Sequence, residues 1–453
     1  MKSEAEIPSY KLDISVKAIL MMATPVSLGY FVQFIVAFTD NYFSARIDGN
    51  AMSAAAYVGL LYITLVMIGI GLSNAAQILV ARRKGEQRNG DVGAIVGNAF
   101  WIAIVTAFVQ FALLFFVFPP LMKDWLSSEN VQEYMMQFIF YRSFGFFFYT
   151  PTLILNAFWS GIAKTRVMMY TTIITSVVNM ILAYGLIFGH FGLPEMGIAG
   201  GALAATIAEG CAFLFALIYT WYSKSQADYD VNRYMYQLPV KHSWEIIKLG
   251  LPISMQMLLA LGVWSLFFKF IDDMGEQELQ SSFIVRNMYS LMYVSVGGFS
   301  TTTKTYISGL IAEGRQKDLI PTIVKMMLLN FVGLLLLSHG LWLYPEAIAR
   351  LFTTDPAIIQ QTADCMWVVL PAMLVFAFTN ILLATLEGSG NAFKGFLVEM
   401  FTTMMYISVA YVMVYIWKWP IHLVWTADYV YFFFIGILSL AFLWNGKWKV
   451  HKI

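Results

Sequence analysis

Twelve apolar runs, each long enough to cross a bilayer as a helix, alternate with short polar stretches along this chain, and that alternation decides most of what the chain can fold into. A spanning helix needs about 20 mostly apolar residues to cross roughly 30 Å of hydrocarbon. The runs fall near residues 14–43, 54–81, 93–118, 132–157, 167–189, 199–222, 244–271, 282–310, 321–343, 364–386, 396–417 and 425–444. A transmembrane barrel would instead show segments of about ten residues with alternating polarity. The composition agrees with helices in lipid: 59% of the 453 residues are hydrophobic and only 12% charged, against about 25% charged in ordinary soluble domains.

Orientation follows from Lys and Arg, which collect in cytoplasmic loops. With the amino terminus inside, twenty of the 28 basic residues fall on the inner side. Only Arg46, Lys123, Arg350 and Lys418 lie outside, and Arg142, Lys269, Arg286 and Lys304 fall within the runs. Both termini are therefore expected in the cytoplasm. The start, MKSEAEIPSYKLDISVK, is polar and precedes no small-residue cleavage site, so the first helix is expected to be retained. Cys211 and Cys365 offer neither a disulfide framework nor a thiol metal site. No basic run with interleaved aromatics points to nucleic acid.

An internal repeat divides the chain. Thr24-Pro25-Val26-Ser27 opens a helix in the first half and Leu251-Pro252-Ile253-Ser254 does so in the second. Pro25 to Pro252 and Gly161 to Gly388 are both offset by 227 residues, while Gly85 to Gly314 gives 229. The expected architecture is an all-α integral membrane protein of twelve transmembrane helices in two parallel-repeat six-helix lobes. Residues 1–222 form the first lobe, 223–243 a cytoplasmic linker and 244–453 the second lobe. Paired lobes leave a cleft that opens alternately to either side by rocking, and Pro25 and Pro252, which lack a backbone N–H, are expected to bend their helices.

The G-x-x-x-x-G-K-[ST] loop of ATP-driven machines is missing, which leaves an ion gradient as the expected energy source. Charge at membrane depth costs roughly 2.5 to 3.5 kcal/mol and marks function by default. Asp40, in the helix of Pro25, either binds a proton or Na⁺ or reaches headgroup water near the outer interface. Glu209 sits about ten residues into its helix, roughly 15 Å deep, with Thr206 on the same face and Asn179 at similar depth on the preceding helix. Alternatively, Glu209 and Asn179 hydrogen-bond across helices as packing glue. Gln33, Gln256, Arg286 and Asn380 are the candidates for lining a substrate cleft. Lys269, Arg286 and Lys304 suit an anionic substrate, although Lys269 and Arg286 lie near helix ends and can snorkel. Glu387, Glu399 and Asp428 read as interfacial acids. Gly197-Ile198-Ala199-Gly200-Gly201-Ala202-Leu203-Ala204-Ala205 places a small residue at every fourth position, which favours close helix packing.

These residues, in this order, carry a resemblance over essentially the whole chain. Pro25, Gln33 and Asp40 on the first helix, Ala76-Gln77 through Gly85, and Gly161-Ile162-Ala163-Lys164-Thr165 belong to it. So do Asn179 with Leu186-Ile187-Phe188-Gly189, the block from Met196 to Thr206, Pro252, Gly314 and Leu386-Glu387-Gly388-Ser389-Gly390. The chain resembles the multidrug and toxic compound extrusion (MATE) family of the flippase superfamily. The resemblance implies a Na⁺- or H⁺-driven antiporter of cationic or amphipathic organic compounds, not an enzyme, acting as a monomer in the cell membrane (the inner or plasma membrane) without a cofactor beyond the coupling ion. It further implies a cation site in the first lobe, matched by Asp40, Asn179 and Thr206, where Na⁺ would bind. Many members carry a second acid four residues after that Asn, where this chain has Ala183; positions that hold acids in the seventh and tenth helices of some members read Ala260 and Phe376. Glu209 is the expected substitute for the acid absent at Ala183. Two other functions were weighed: a lipid-linked saccharide flippase, kept open by Lys269, Arg286 and Lys304, and an integral-membrane transferase, which would need the acidic 272–278 loop to hold a metal.

Overall fold

The computed structural model describes residues 11–45, 47, 49–123, 128–237 and 241–450. No water reaches the bilayer core to satisfy free backbone groups, so a spanning chain closes its hydrogen bonds within helices. Among the described residues twelve long helices result: α1 Val16–Ala45, α2 Gly49–Gly85, α3 Asn89–Met122, α4 Glu129–Gly161, α5 Arg166–Phe188 and α6 Gly197–Tyr222. After them come α7 Ser243–Asp272, α8 Glu276–Ala312, α9 Gln316–Leu343, α10 Pro356–Gly388, α11 Ala392–Ile416 and α12 Ile421–Trp444. Each coincides with one apolar run of the sequence, usually extended by several residues at either end.

Eleven of the twelve are long and apolar enough to cross a membrane by composition alone; α8 is the exception. Its run Ser300-Thr301-Thr302-Thr303-Lys304-Thr305 is polar. The hydroxyls are satisfied locally, since Thr302 Oγ1 donates to the Gly298 carbonyl at 2.8 Å and Thr303 Oγ1 to that of Phe299 at 2.7 Å. Such back-bonding lets a polar helix sit in a low-dielectric interior. Pro25 and Pro252 both lie inside unbroken helices.

The repeat is visible in the backbone itself. Gln87, Ala163 and Phe191 adopt left-handed conformations with φ of 60°, 62° and 60°. Their counterparts 227 positions later, Gly314, Gly390 and Lys418, do the same at 68°, 89° and 51°. The equivalent of Gly314 is thus Gln87, which removes the 229-residue irregularity. The segment between α6 and α7 holds two short helices, Lys224–Ala227 and Val231–Met235, and lies tightly on α3. A Cβ on Gly93 would collide with the Tyr229 carbonyl oxygen and one on Gly97 with that of Tyr234. Trp101 Nε1 donates to the Met235 carbonyl at 3.1 Å.

A left-handed turn costs an L-residue about 1–2 kcal/mol that glycine avoids. Gly390→Ala should therefore lower the thermal midpoint in detergent, and Ala163→Gly should leave it unchanged or raise it. Equal losses in both variants would contradict the shared turn geometry.

Candidate ion and substrate site

Packing places α1 against α5 and α8, and α5 against α6. Asp40 belongs to α1, but its side chain lies outside the described residues. Asn179 of α5 is buried, as is Ala183 one turn on. Thr206 of α6 is buried too, but its hydroxyl donates to the Tyr141 carbonyl of α4 at 2.9 Å. Gln33 is exposed on α1.

Glu209 has a partner that sequence reasoning did not name. Arg142, at the end of the first helical stretch of α4, grips it with both ends of its guanidinium: Nη1 to Oε2 at 2.8 Å and Nη2 to Oε1 at 2.7 Å. Tyr62 of α2 donates its hydroxyl to the same carboxylate, 3.1 Å from Oε1 and 3.0 Å from Oε2. The guanidinium carbon sits 3.5 Å from the centre of the Tyr62 ring, whose other neighbour, Phe146, stacks at 4.3 Å. Gly145 makes room, since a Cβ there would strike both Glu209 Oε2 and Arg142 Nη1. A bidentate pair with an aromatic lid is a closed electrostatic unit. The expectation that Glu209 joins Asn179 and Thr206 as a cation ligand is therefore corrected: its charge is already balanced by Arg142, and Thr206 is bonded to backbone.

In the second half, Lys304 of α8 forms an ion pair with Glu387 of α10 at 2.7 Å and reaches Asn74 Oδ1 of α2 at 3.3 Å. Lys304 is thus a link between helices and not a free cation for substrate. Arg286 is exposed near the start of α8, its guanidinium 5.0 Å from the Phe283 ring and 5.4 Å from that of Phe268. Gln256 and Asn380, the cleft candidates on α7 and α10, are buried, each with a side-chain oxygen lacking a hydrogen bond. Glu399 and Asp428, read as interfacial, are buried as well, as is Glu387. Glu387 does sit at the end of α10, whereas Glu399 is about two turns into α11, which begins at Ala392, a full turn before the apolar run suggests. The acidic loop after α7 is held by a lysine: Lys269 Nζ bonds Asp272 Oδ2 at 3.0 Å and Asp273 Oδ1 at 2.6 Å. That bond, aided by the Tyr415 hydroxyl, keeps the Asp273 carboxyl below the usual range. Among the described residues no three His, Cys, Asp or Glu side chains form a metal-binding group.

The helices on either side of the 223–243 segment meet along one end. Gln77 Nε2 donates to the Thr301 carbonyl at 2.9 Å and to Thr305 Oγ1 at 2.8 Å. Arg82 reaches Ser308 Oγ and the Ser389 carbonyl, both at 3.3 Å, and Ser308 Oγ donates to the Ile78 carbonyl at 2.7 Å. Close backbone approach accompanies these bonds. A Cβ on Gly71 would strike Ser254, and one on Gly298 would strike Ser27. This seam is built from the 68–85 part of α2 and the 293–312 part of α8, with α1 and α7 beside them.

Comparison with known proteins places this geometry. The MatE family model matches the chain twice, at residues 25–185 and 252–412, two stretches that begin 227 positions apart like the left-handed turns. The chain is 24% identical to the probable multidrug resistance protein NorM of Thermotoga maritima, over 96% of this chain and 94% of that protein. It is 25% identical to the protein of the same description from Pseudomonas aeruginosa, over 85% and 80%. A multidrug resistance MATE family transporter of the MOP superfamily, solved in an outward-facing conformation, superposes with a TM-score of 0.88 at 17% identity, covering 97% of both chains. A MOP superfamily transporter from Pyrococcus furiosus does so at 0.86 and 17%, covering 96% of both.

Breaking a buried ion pair on one side strands the other charge and costs about 3–5 kcal/mol, whereas replacing both partners by apolar residues is often neutral. Arg142→Ala or Glu209→Gln should therefore cut the yield and thermal midpoint of monodisperse protein. The double variant Arg142→Met/Glu209→Leu should recover most of the loss. A single Glu209→Gln variant as stable as the parent would show that Arg142 does not depend on it.

Proposed function

Since the chain belongs to the MATE family of efflux transporters and is a multi-pass protein of the cell membrane, we propose that it is a secondary active antiporter. It exports cationic or amphipathic organic compounds in exchange for Na⁺ or H⁺. The observation that carries this reading is the seam: residues of two repeated halves interlock at one end through Gln77, Arg82, Lys304 and Ser308. A solute path between the halves then opens at that end only when these bonds part. The bonds are reversible, each worth about 1 kcal/mol net between neutral groups and about 1.5–3 kcal/mol where Arg82 or Lys304 donates, and two packed arrangements of that kind are what rocking transport requires. The closed end carries Arg82, Arg83, Lys84, Arg88, Arg315 and Lys317, so by the distribution of basic residues it faces the cytoplasm. The two lobes are residues 1–222 and 244–453. With Glu209 neutralised, the first-lobe cation site rests on Asp40 of α1 together with Asn179 of α5.

Binding a cation and a substrate to alternating states couples them by a free energy of about 1–3 kcal/mol in typical systems. Everted membrane vesicles should accumulate a fluorescent organic cation, and collapsing either the Na⁺ or the proton gradient alone should identify the driving ion. Accumulation untouched by collapse of both gradients would overturn antiport. Asp40→Asn should abolish the response to the gradient while substrate still binds.

The seam makes a second test possible. Gly298→Val places a branched side chain against Ser27 and disfavours the closed arrangement by about 1–3 kcal/mol. A cysteine introduced at Thr305 should then react faster with a membrane-impermeant maleimide added from the cytoplasmic side. Unchanged reactivity would show that the seam does not open there.

A further inference from the structure

Among the described residues four acids are buried, and two of them are matched by a cation: Glu209 by Arg142, Glu387 by Lys304. Two carboxyl groups break that pattern, and both lie in the second half. Glu399 on α11 is 2% exposed, and its carboxyl Oε1 accepts a hydrogen bond from the Tyr431 hydroxyl of α12 at 2.5 Å. Asp428, at the start of the long stretch of α12, is 4% exposed, and its Oδ2 has no hydrogen-bond partner. Among the described residues no Lys, Arg or His comes within ion-pair distance of either carboxyl.

Their surroundings are aromatic and neutral. Asp428 faces the hydroxyls of Tyr406 from α11 and Tyr289 from α8, and on the α10 side Phe376 stacks at 4.5 Å on Phe432, one turn from Asp428. Glu399 faces Tyr431 from α12, Tyr293 from α8 and Glu387 from α10. From α7, Gln256 lies against Gly395, one turn before Glu399 on the same helix. The Tyr406 and Tyr431 rings are 5.7 Å apart and stand between the two acids. Among the described residues the cation beside this group, the Lys304 ammonium, is already paired with Glu387 at 2.7 Å.

An ionised carboxylate without a cation is far too costly in such a place, and it neutralises by taking up a proton. A hard metal ion would instead collect several oxygens, whereas Glu399 is offered one phenol. We infer that Glu399 and Asp428 are proton-binding sites of the second lobe, with Tyr431 and Tyr406 as their positioning partners. On binding, one oxygen of each carboxylate gains an O–H bond and the site becomes neutral. On release, the proton passes to water admitted when the lobes rearrange. Glu387 adds a direction to the cycle, because its negative charge next to Glu399 favours the protonated form whenever Lys304 lets go of Glu387, which is also when Lys304 lets go of Asn74 across the seam. The inference rests on reading the chain as an ion-coupled exporter.

Infrared difference spectra of the purified full-length protein, recorded as pH is raised, test it directly. The wild type should show a protonated-carboxyl C=O band that disappears on deprotonation; Glu399→Gln and Asp428→Asn should each remove one component of it. Tyr431→Phe should shift the Glu399 component in frequency without removing it, a signature that a purely structural tyrosine would not give. Glu399→Asp serves as the folding control and should retain a titrating band. A spectrum unchanged in both Glu399→Gln and Asp428→Asn overturns the proposal, and so does a band lost on adding NaCl at constant pH, which would mark a sodium site. The efflux reading is tested apart, by vesicle accumulation of the organic cation in the wild type. Titrating bands in a protein that moves no organic cation would keep the proton sites and discard efflux; proton-driven accumulation with no titrating component from either residue would do the reverse.

Discussion

The low dielectric of the bilayer interior governs this structure, because every charge carried there has to be cancelled by the protein itself. That requirement explains why Arg142, Tyr62 and Glu209 come from three helices far apart in sequence, yet converge on one carboxylate. It also explains why the two apolar faces of the Tyr62 ring are used, one by the guanidinium and the other by Phe146. Taking such charges out of water costs several kcal/mol each, and only near-ideal geometry returns it. The cluster consequently fixes α2, α4 and α6 relative to one another.

Where the two halves meet, the interactions are of another kind. Gln77, Arg82 and Ser308 bond to backbone carbonyls or hydroxyls across the seam, and glycines at 71 and 298 let helices touch without interlocking side chains. The neutral bonds of Gln77 and Ser308 can be exchanged for water at little net cost, and those donated by the Arg82 guanidinium cost more to part. The seam thus joins neutral bonds to the ion pair of Arg83 on α2 with Glu245 on α7 at 3.1 Å, and all of them have to part for the halves to separate there. Lys304 takes part in both, bonding to Glu387 within its own half and to Asn74 across the seam, and Arg83 does likewise with Glu86 and Glu245.

Much of this was legible in the sequence, for a definite reason. Long apolar runs have few alternatives in lipid, so all twelve helices could be placed, and the repeat followed from Pro25 and Pro252. The family resemblance, too, was carried by the order of short motifs and not by any one of them. Partnerships across helices were not legible. Arg142 stood in an apolar run with no acid at helical spacing, and nothing local says that it meets Glu209, 67 positions away. Glu399 and Asp428 were misplaced because hydropathy marks where a helix is apolar, not where it begins. The extra turn at the start of α11 carries Glu399 from the interface into the core, and the packing of α12 against α10 and α11 does the same for Asp428.

The two halves share a backbone plan down to the left-handed turns, so their different treatment of acid is a property of side chains alone. In the first, the deep carboxylate of Glu209 is locked to arginine, whose charge does not titrate in proteins. In the second, Lys304 holds Glu387 in the same way, but at Glu399 and Asp428 phenols stand where a cation would be needed, and a phenol can donate a hydrogen bond to a carboxylate or accept one from a carboxylic acid with little movement. The Tyr431–Glu399 contact is therefore compatible with both protonation states, whereas the Arg142–Glu209 contact tolerates only one. Duplication supplied two similar frames. The identity of the partner at each buried acid then determines which frame holds its charge permanently and which can exchange it.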